Sequence, residues 1–297
     1  MKNGRSAASI YRSDRGRAEV MALYEKKLAS LAIEAHSQMV ETRFGPTHVL
    51  AAGPPEAPPV MVLTGLSTGA PRILEWFRVL IQDYRLYAPD PIGLPGRSVQ
   101  TRVPPGNHNY GKWMVDVLDS LGLEQLPFIG VSFGGGILLD TASYAPKRIS
   151  RAALMVPAGL TRVPFFYMAV KFFLPCLLYR YFPSRKRLLG TVQPLVGEPD
   201  DYSLQVFDAT LRHVKLTLAP PGPFDKEILA GFTAPTLLFL AKSDIFIPVE
   251  PALRRAQELL PGLVEVEVFK GPHIPSESTW HYNAQRIRRF FQETHLG

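Results

Sequence analysis

The sequence predicts an α/β fold, a mostly parallel β-sheet flanked by helices and carrying one helical cap insertion. Three observations lead there. Continuous apolar runs of four to six residues alternate with stretches of helical amphipathic spacing, the pattern of βα units whose strands are buried on both faces. The runs end in Gly, Pro, Ser or Asp, which stop strands cleanly. The alternation breaks once, over residues 159–230, and then resumes. A long interruption of an otherwise regular series is commonly a functional lid. The domain plan is therefore an N-terminal basic, amphipathic extension over 1–38, a core formed by 39–158 with 231–297, and a cap over 159–230.

Composition agrees with one sizeable core. Of 297 residues, 46% are hydrophobic and 20% charged, which excludes intrinsic disorder. Cys176 is the only cysteine, so neither a disulfide framework nor a cysteine zinc site can form within the chain, and a reducing compartment, the cytoplasm, is expected. Thirty-three Lys and Arg against 26 Asp and Glu leave a net charge of +7. Seven of the basic residues lie in the first thirty positions against three acids. No aromatic-interleaved basic strand or recognition helix follows, so no nucleic-acid partner is expected. The basic N-terminus and the apolar segment from Phe165 to Phe182 are the candidates for weak peripheral contact with a membrane. That segment is broken by Lys171 and Pro175 and is too short to span a bilayer.

Taken in order, Val20, Leu23, Tyr24, Leu28 and Leu31 share one helical face, predicting a helix over Arg17–Ile33. Met39–Phe44 and Thr47–Ala52 read as strands joined through Gly45-Pro46. After the proline-rich connector Pro54–Pro59 come a strand at Val60–Leu63, a helix at Ile73–Ile81 and a strand at Arg85–Ala88. Trp113, Val117, Leu118 and Leu121 form a helical face closed by Gly122, and Leu126–Ile129 is a strand. A helix over Gly134–Ala145 and a strand over Ala152–Val156 lead into the cap, which begins rich in aromatic residues. Beyond it lie a strand at Thr236–Leu240, a helix at Pro251–Leu260, a strand at Val264–Phe269 and a last helix carrying Ile287, Phe290 and Phe291.

The chemistry is carried by Gly130-Val131-Ser132-Phe133-Gly134, a G-x-S-x-G run. Such a run arises by chance in about one chain in ten at ordinary Gly and Ser frequencies. Here it sits between a strand and a helix, where small neighbours allow a sharp turn that presents the Ser132 hydroxyl at the top of a sheet. An elbow serine needs a base and an orienting acid, which follow it in the order acid, then histidine, each past a strand end. Asp244, four residues beyond Thr236–Leu240, and His273, four beyond Val264–Phe269, occupy those places. The remaining histidines considered, His36, His48, His108, His213 and His281, read as structural or solvated, and Asp90 as a turn former at the rim of the site. Two backbone N–H groups are expected to hold an oxyanion, that of Phe133 and that of Leu66 in the loop Thr64–Gly69. The aromatic start of the cap suggests an apolar acyl or alkyl pocket, with Phe165, Phe166, Phe172 and Phe246 as its candidate walls.

These residues resemble the α/β-hydrolase superfamily over about Met39 to Phe291, and within it the bacterial carboxylesterase-like serine hydrolases. The resemblance rests on the elbow, on Thr42-Arg43-Phe44-Gly45 followed by Thr47-His48, and on the turn Asp90-Pro91-Ile92-Gly93-Leu94-Pro95-Gly96-Arg97-Ser98. It implies Ser132 as nucleophile, Asp244 as acid and His273 as base, with no metal or organic cofactor and a small-molecule ester as substrate. Thr64 stands where relatives usually carry His, and Pro272 where Gly is commoner. The same residues would also serve a lactonase, a thioesterase or acyltransferase, or a C–C bond hydrolase. A non-catalytic ligand-binding protein on the same scaffold is the alternative of another class.

Overall fold

The computed structural model describes residues 9–66, 69–161, 165–215 and 220–293. Its eight strands are β1 (Ala35–Val40), β2 (Thr47–Ala52), β3 (Pro59–Leu63), β4 (Arg85–Pro89), β5 (Leu126–Val131), β6 (Ile149–Met155), β7 (Thr236–Ala241) and β8 (Leu263–Phe269). They form one sheet in the order β1-β2-β4-β3-β5-β6-β7-β8. The pairs β1–β2 and β2–β4 are antiparallel and all others parallel, so the predicted mostly parallel sheet is borne out.

Strand alternation feeds two cores, one on each face. Met61, Leu63, Phe128, Leu154, Leu238 and Leu240 enter the first, under α3 (Asn109–Ser120) and α4 (Phe133–Tyr144). Val60, Val62, Ile129, Met155, Leu237 and Phe239 enter the second, under α2 (Gly69–Trp76) and α11 (Glu277–Gln292). Neighbouring residues on one strand thus serve opposite layers, which is why these strands are apolar throughout rather than alternating.

Several boundaries differ from the sequence reading. The first helix, α1, runs Asp14–Ala29 rather than 17–33, because the Ser13 hydroxyl accepts from the Gly16 N–H and sets its start. β1 lies four residues earlier than predicted, with residues 42–45 forming a turn instead. Thr42 Oγ1 donates to the Gly45 carbonyl at 2.6 Å, and the Gly45 N–H donates to the Thr42 carbonyl at 2.9 Å. An extension reaching residue 38 would therefore include four of the six residues of β1, and the sheet begins at Ala35. The helix expected over 73–81 is α2 followed by a tight 3₁₀ turn at Arg78–Gln82, which buries Phe77 and Leu80.

Between β6 and β7 the chain leaves the sheet. It forms α5 (Phe165–Met168), a π-helical turn (Ala169–Phe173), α6 (Leu174–Tyr181), α7 (Arg185–Val196), α8 (Asp201–His213) and α9 (Lys226–Leu229). α10 (Val249–Leu259) follows β7. The N-terminal segment is tied to this insertion, with a bridge between Tyr11 and Val214 and the Arg12 N–H donating to the His213 carbonyl at 2.8 Å. No helix among the described residues is long and apolar enough to cross a membrane.

Candidate active site

Ser132 separates β5 from α4 at φ 52° and ψ −114°, a backbone region that a residue with a Cβ enters only at a cost of about 1–3 kcal/mol. The surroundings hold it there. Its N–H donates to the Met155 carbonyl and its own carbonyl accepts from the Ala158 N–H, both at 2.9 Å, so the turn is pinned to the end of β6. The motif glycines serve close approach. A Cβ on Gly134 would lie 2.3 Å from the Leu63 carbonyl oxygen, and one on Gly130 2.8 Å from the Gly135 Cα. The elbow is thereby pressed against the end of β3, whose Leu63 pairs with Gly130.

β7 and β8 run parallel with Ala241 beside Phe269, so the loops that follow them emerge side by side. The first carries Asp244. Its Oδ1 accepts from the N–H groups of Phe246 at 2.7 Å and Ile247 at 3.0 Å, which fixes the carboxylate orientation. Its Oδ2 lies 2.6 Å from His273 Nδ1, and His273 Nε2 lies 2.8 Å from Ser132 Oγ. A carboxylate only accepts, so Nδ1 carries the proton and Nε2 is left free to accept from the serine hydroxyl. Asp244 and His273 are buried and Ser132 is half-buried. Three side chains 141 residues apart at their extremes form one hydrogen-bonded line.

The two expected oxyanion donors lie on the segments that follow β5 and β3. Phe133 opens α4, where first-turn N–H groups have no partner within the helix and the dipole favours negative charge. Leu66 is in the turn just past β3, next to the elbow through the Leu63–Gly134 approach. Ser67 and Thr68 of that loop lie outside the described residues.

The aromatic candidates divide. The Phe246 ring is 5.2 Å from the His273 ring, and Phe172 is 5.1 Å from Phe246, so an apolar file runs from the histidine into the insertion. Phe166 does not belong to it: its side chain is 79% exposed. It sits on the outer side of the same helical run, because Phe166 and Phe172 are six positions apart and a helix separates such positions widely. The Phe165 side chain lies outside the described residues. The insertion also holds the histidine loop directly, with the Ile274 N–H donating to the Leu195 carbonyl at 2.8 Å. A cleft of about 430 Å³ within the insertion, lined by Tyr179, Ser184, Leu188, Leu204 and Asp208, touches none of the three polar residues. His213 packs against Gly16 and reaches Glu19 at 2.8 Å, between α8 and α1.

The sequence reading missed a second Ser-His-Asp line. Ser37 Oγ lies 2.5 Å from His48 Nε2, and His48 Nδ1 lies 2.9 Å from Asp90 Oδ2. Asp90 is not a rim turn former but a fully buried hub. Its Oδ2 also accepts from the Tyr24 hydroxyl at 2.8 Å and the Arg97 N–H at 3.0 Å, while its Oδ1 accepts from the Ala70 N–H at 3.1 Å. Burial and then the Asp90 charge push the Tyr24 phenol well above its usual range, so it stays a donor. Ser37 lies on the edge strand β1, with no helix N-terminus behind it and an Arg97 guanidinium nitrogen 3.1 Å from its Oγ. The Ala70 bond also anchors the start of α2. Replacing Asp90 with Ala leaves four donors without their acceptor, and a loss of about 3–5 kcal/mol of folding free energy is expected in urea denaturation.

No group of three or more His, Cys, Asp or Glu among the described residues is placed to hold a metal ion. A family model of the alpha/beta hydrolase fold matches residues 58–194. The chain is 29% identical over 277 residues to the uncharacterized carboxylesterase nap of Bacillus subtilis, covering 90% of each chain. It is also 29% identical over 286 residues to carboxylesterase YbfK of the same organism, covering 90% of this chain and 91% of that one. The crystal structure of naproxen esterase from Bacillus subtilis superposes with a TM-score of 0.75 at 25% identity, over 94% of this chain and 99% of the other.

Proposed function

We propose that this chain is a carboxylesterase-like member of the α/β-hydrolase superfamily, and that it hydrolyses carboxylic esters of small to medium hydrophobic molecules through Ser132, His273 and Asp244. The observation that carries the reading is the continuous hydrogen-bonded line from Asp244 through His273 to a serine held in a strained turn.

In the proposed reaction Ser132 Oγ attacks the ester carbonyl while His273 Nε2 takes the hydroxyl proton. The carbonyl oxygen becomes an oxyanion facing the N–H groups of Leu66 and Phe133, each such donor being worth about 10²–10³ in rate. His273 then gives its proton to the departing alcohol, leaving an acyl-serine. Water attacks the acyl-serine, its proton passes to Nε2, and the collapse releases the carboxylic acid and returns the proton to Ser132. Asp244 holds the Nδ1–H tautomer throughout and stabilises the imidazolium. Phe246 beside His273, with Phe172 behind it, supports an apolar acyl or alkyl group as the part of the substrate bound there.

The test is covalent labelling by a fluorophosphonate followed by peptide mapping. Label on Ser132 and none on Ser37 is the expected result, since only Ser132 combines the relay with a helix N-terminus. Label on Ser37 alone, or no label together with no turnover of p-nitrophenyl esters from acetate to decanoate, would overturn the proposal.

A further inference from the structure

The insertion presents an apolar surface that nothing described in the chain covers. Among the described residues, nine of the fifteen exposed large hydrophobic ones fall between Phe166 and Phe182, a density that a surface in contact only with water rarely carries. They are ordered as well as numerous. Phe166, Val170, Leu174, Leu177 and Tyr181 follow one another at intervals of four, four, three and four residues, making one stripe along α5, the π turn and α6. The opposite side of the same run is buried through Phe172 and Tyr179, and Phe172 leads to Phe246 and His273. One helical run therefore contacts the reaction line with its inner side and solvent with its outer side.

Charge decides what the outer side fits. From Gly159 to Gly197 the chain has six Lys and Arg and no Asp or Glu. The Arg180 guanidinium lies 5.4 Å over the Tyr181 ring and that of Arg187 5.8 Å over Phe182, so the cations border the apolar stripe itself. Lys171 is exposed on the same run, and Arg185 and Lys186 are exposed at the start of α7, which follows it. Arg12 adds a further cation, with Arg180 and Tyr181 as its electrostatic neighbours. The carboxylate packed beneath, Asp208, is occupied by Arg212 at 2.6 Å and by the Tyr179 hydroxyl.

We propose that this face docks on the surface of an anionic phospholipid bilayer, with the stripe from Phe166 to Tyr181 entering the acyl boundary and the surrounding Arg and Lys meeting lipid phosphates. Apolar burial supplies the part of the binding that tolerates salt, and the basic rim supplies the part that salt screens. Long Arg and Lys stems beside aromatic rings suit an interface, since the stem stays in the apolar layer while the charge reaches the headgroups. The docking does not rest on the hydrolytic reading. If that reading holds, the buried side of the docked helix would connect the reaction line with a lipid-dissolved ester.

The test is sedimentation of the full-length chain with vesicles of equimolar phosphatidylglycerol and phosphatidylcholine, against vesicles of phosphatidylcholine alone. Partitioning at least tenfold stronger to the anionic vesicles is expected, weakening as NaCl is raised to about 0.5 M. Two triple variants, Leu177→Ser with Tyr181→Ser and Phe182→Ser, and Arg185→Gln with Lys186→Gln and Arg187→Gln, should each lose at least tenfold in partitioning. All six residues are exposed and outside the reaction line, so both variants should keep the wild-type melting temperature and turnover of a water-soluble ester. Equal partitioning of wild type and folded variants would overturn the docking. So would a concentration-dependent dimer, abolished by the apolar triple variant, in a chain that ignores vesicles. A wild-type chain that docks but turns over no ester would remove the hydrolytic reading and leave this one standing.

Discussion

A Ser132→Ala variant is expected to lose about 10⁵-fold in kcat/KM on p-nitrophenyl butyrate while remaining folded. The argument is local. The hydroxyl lies 2.8 Å from His273 Nε2, and removing it deletes the atom that attacks the ester in the proposed reaction. What remains is the oxyanion site and substrate binding, which together retain about 10³–10⁴ over the uncatalysed rate in proteins with such a triad. The backbone makes a second, opposite statement about the same residue. At φ 52° and ψ −114° the Cβ is unfavourable whether the residue is Ser or Ala, whereas Gly takes that conformation freely. Ser132→Gly is therefore expected to be as inactive as Ser132→Ala but more stable than it by about 1 kcal/mol in urea denaturation. Inactivity with equal or lower stability would mean the turn is not strained. Activity within tenfold of wild type in either variant would remove Ser132 from the reaction.

Much of this arrangement could be read from the residues themselves. The elbow was legible because its glycines mark a place where backbones touch, and in the fold Gly134 does abut Leu63. Asp244 was legible because Leu237–Ala241 before it is an unbroken apolar run, and His273 because Val264, Val266 and Val268 alternate with Glu265 and Glu267 before it, so that each polar loop stands out at a strand end. What escaped was contact made across long sequence distances by groups with ordinary local roles. Ser37, His48 and Asp90 sit on an edge strand, a buried strand and a loop, and nothing in their spacing announces that they meet. Phe166 was misplaced as a pocket wall for a related reason. An aromatic run says that a helix is apolar but not which side faces inward, and here both sides are apolar. The displacement of β1 has a simpler cause: the Thr42 hydroxyl closes a turn where the apolar pattern alone favoured an extended strand.

The two Ser-His-Asp lines make Asp244 the sharper test of mechanism. Asp244→Asn is expected to lower kcat by about 10⁴-fold on the same ester with little change in KM. An Asn carbonyl oxygen in the place of Oδ1 can go on accepting from the Phe246 and Ile247 N–H groups, so the loop keeps its shape. Its amide NH₂ then faces His273 Nδ1 and donates where the carboxylate accepted. The imidazole answers by moving its proton to Nε2, the atom 2.8 Å from Ser132 Oγ, and in that tautomer it cannot take the serine proton. The charge that stabilised the imidazolium is removed in the same stroke. At Asp90 the same substitution disturbs a hub that binds Tyr24, His48 and two backbone N–H groups, so its effect should appear in denaturation rather than in kcat. A loss of kcat confined to Asp244→Asn, beside a loss of stability confined to Asp90→Asn, separates the line that moves protons from the line that holds the fold. If Asp244→Asn retained more than a tenth of wild-type kcat, His273 would owe its orientation to something other than this carboxylate.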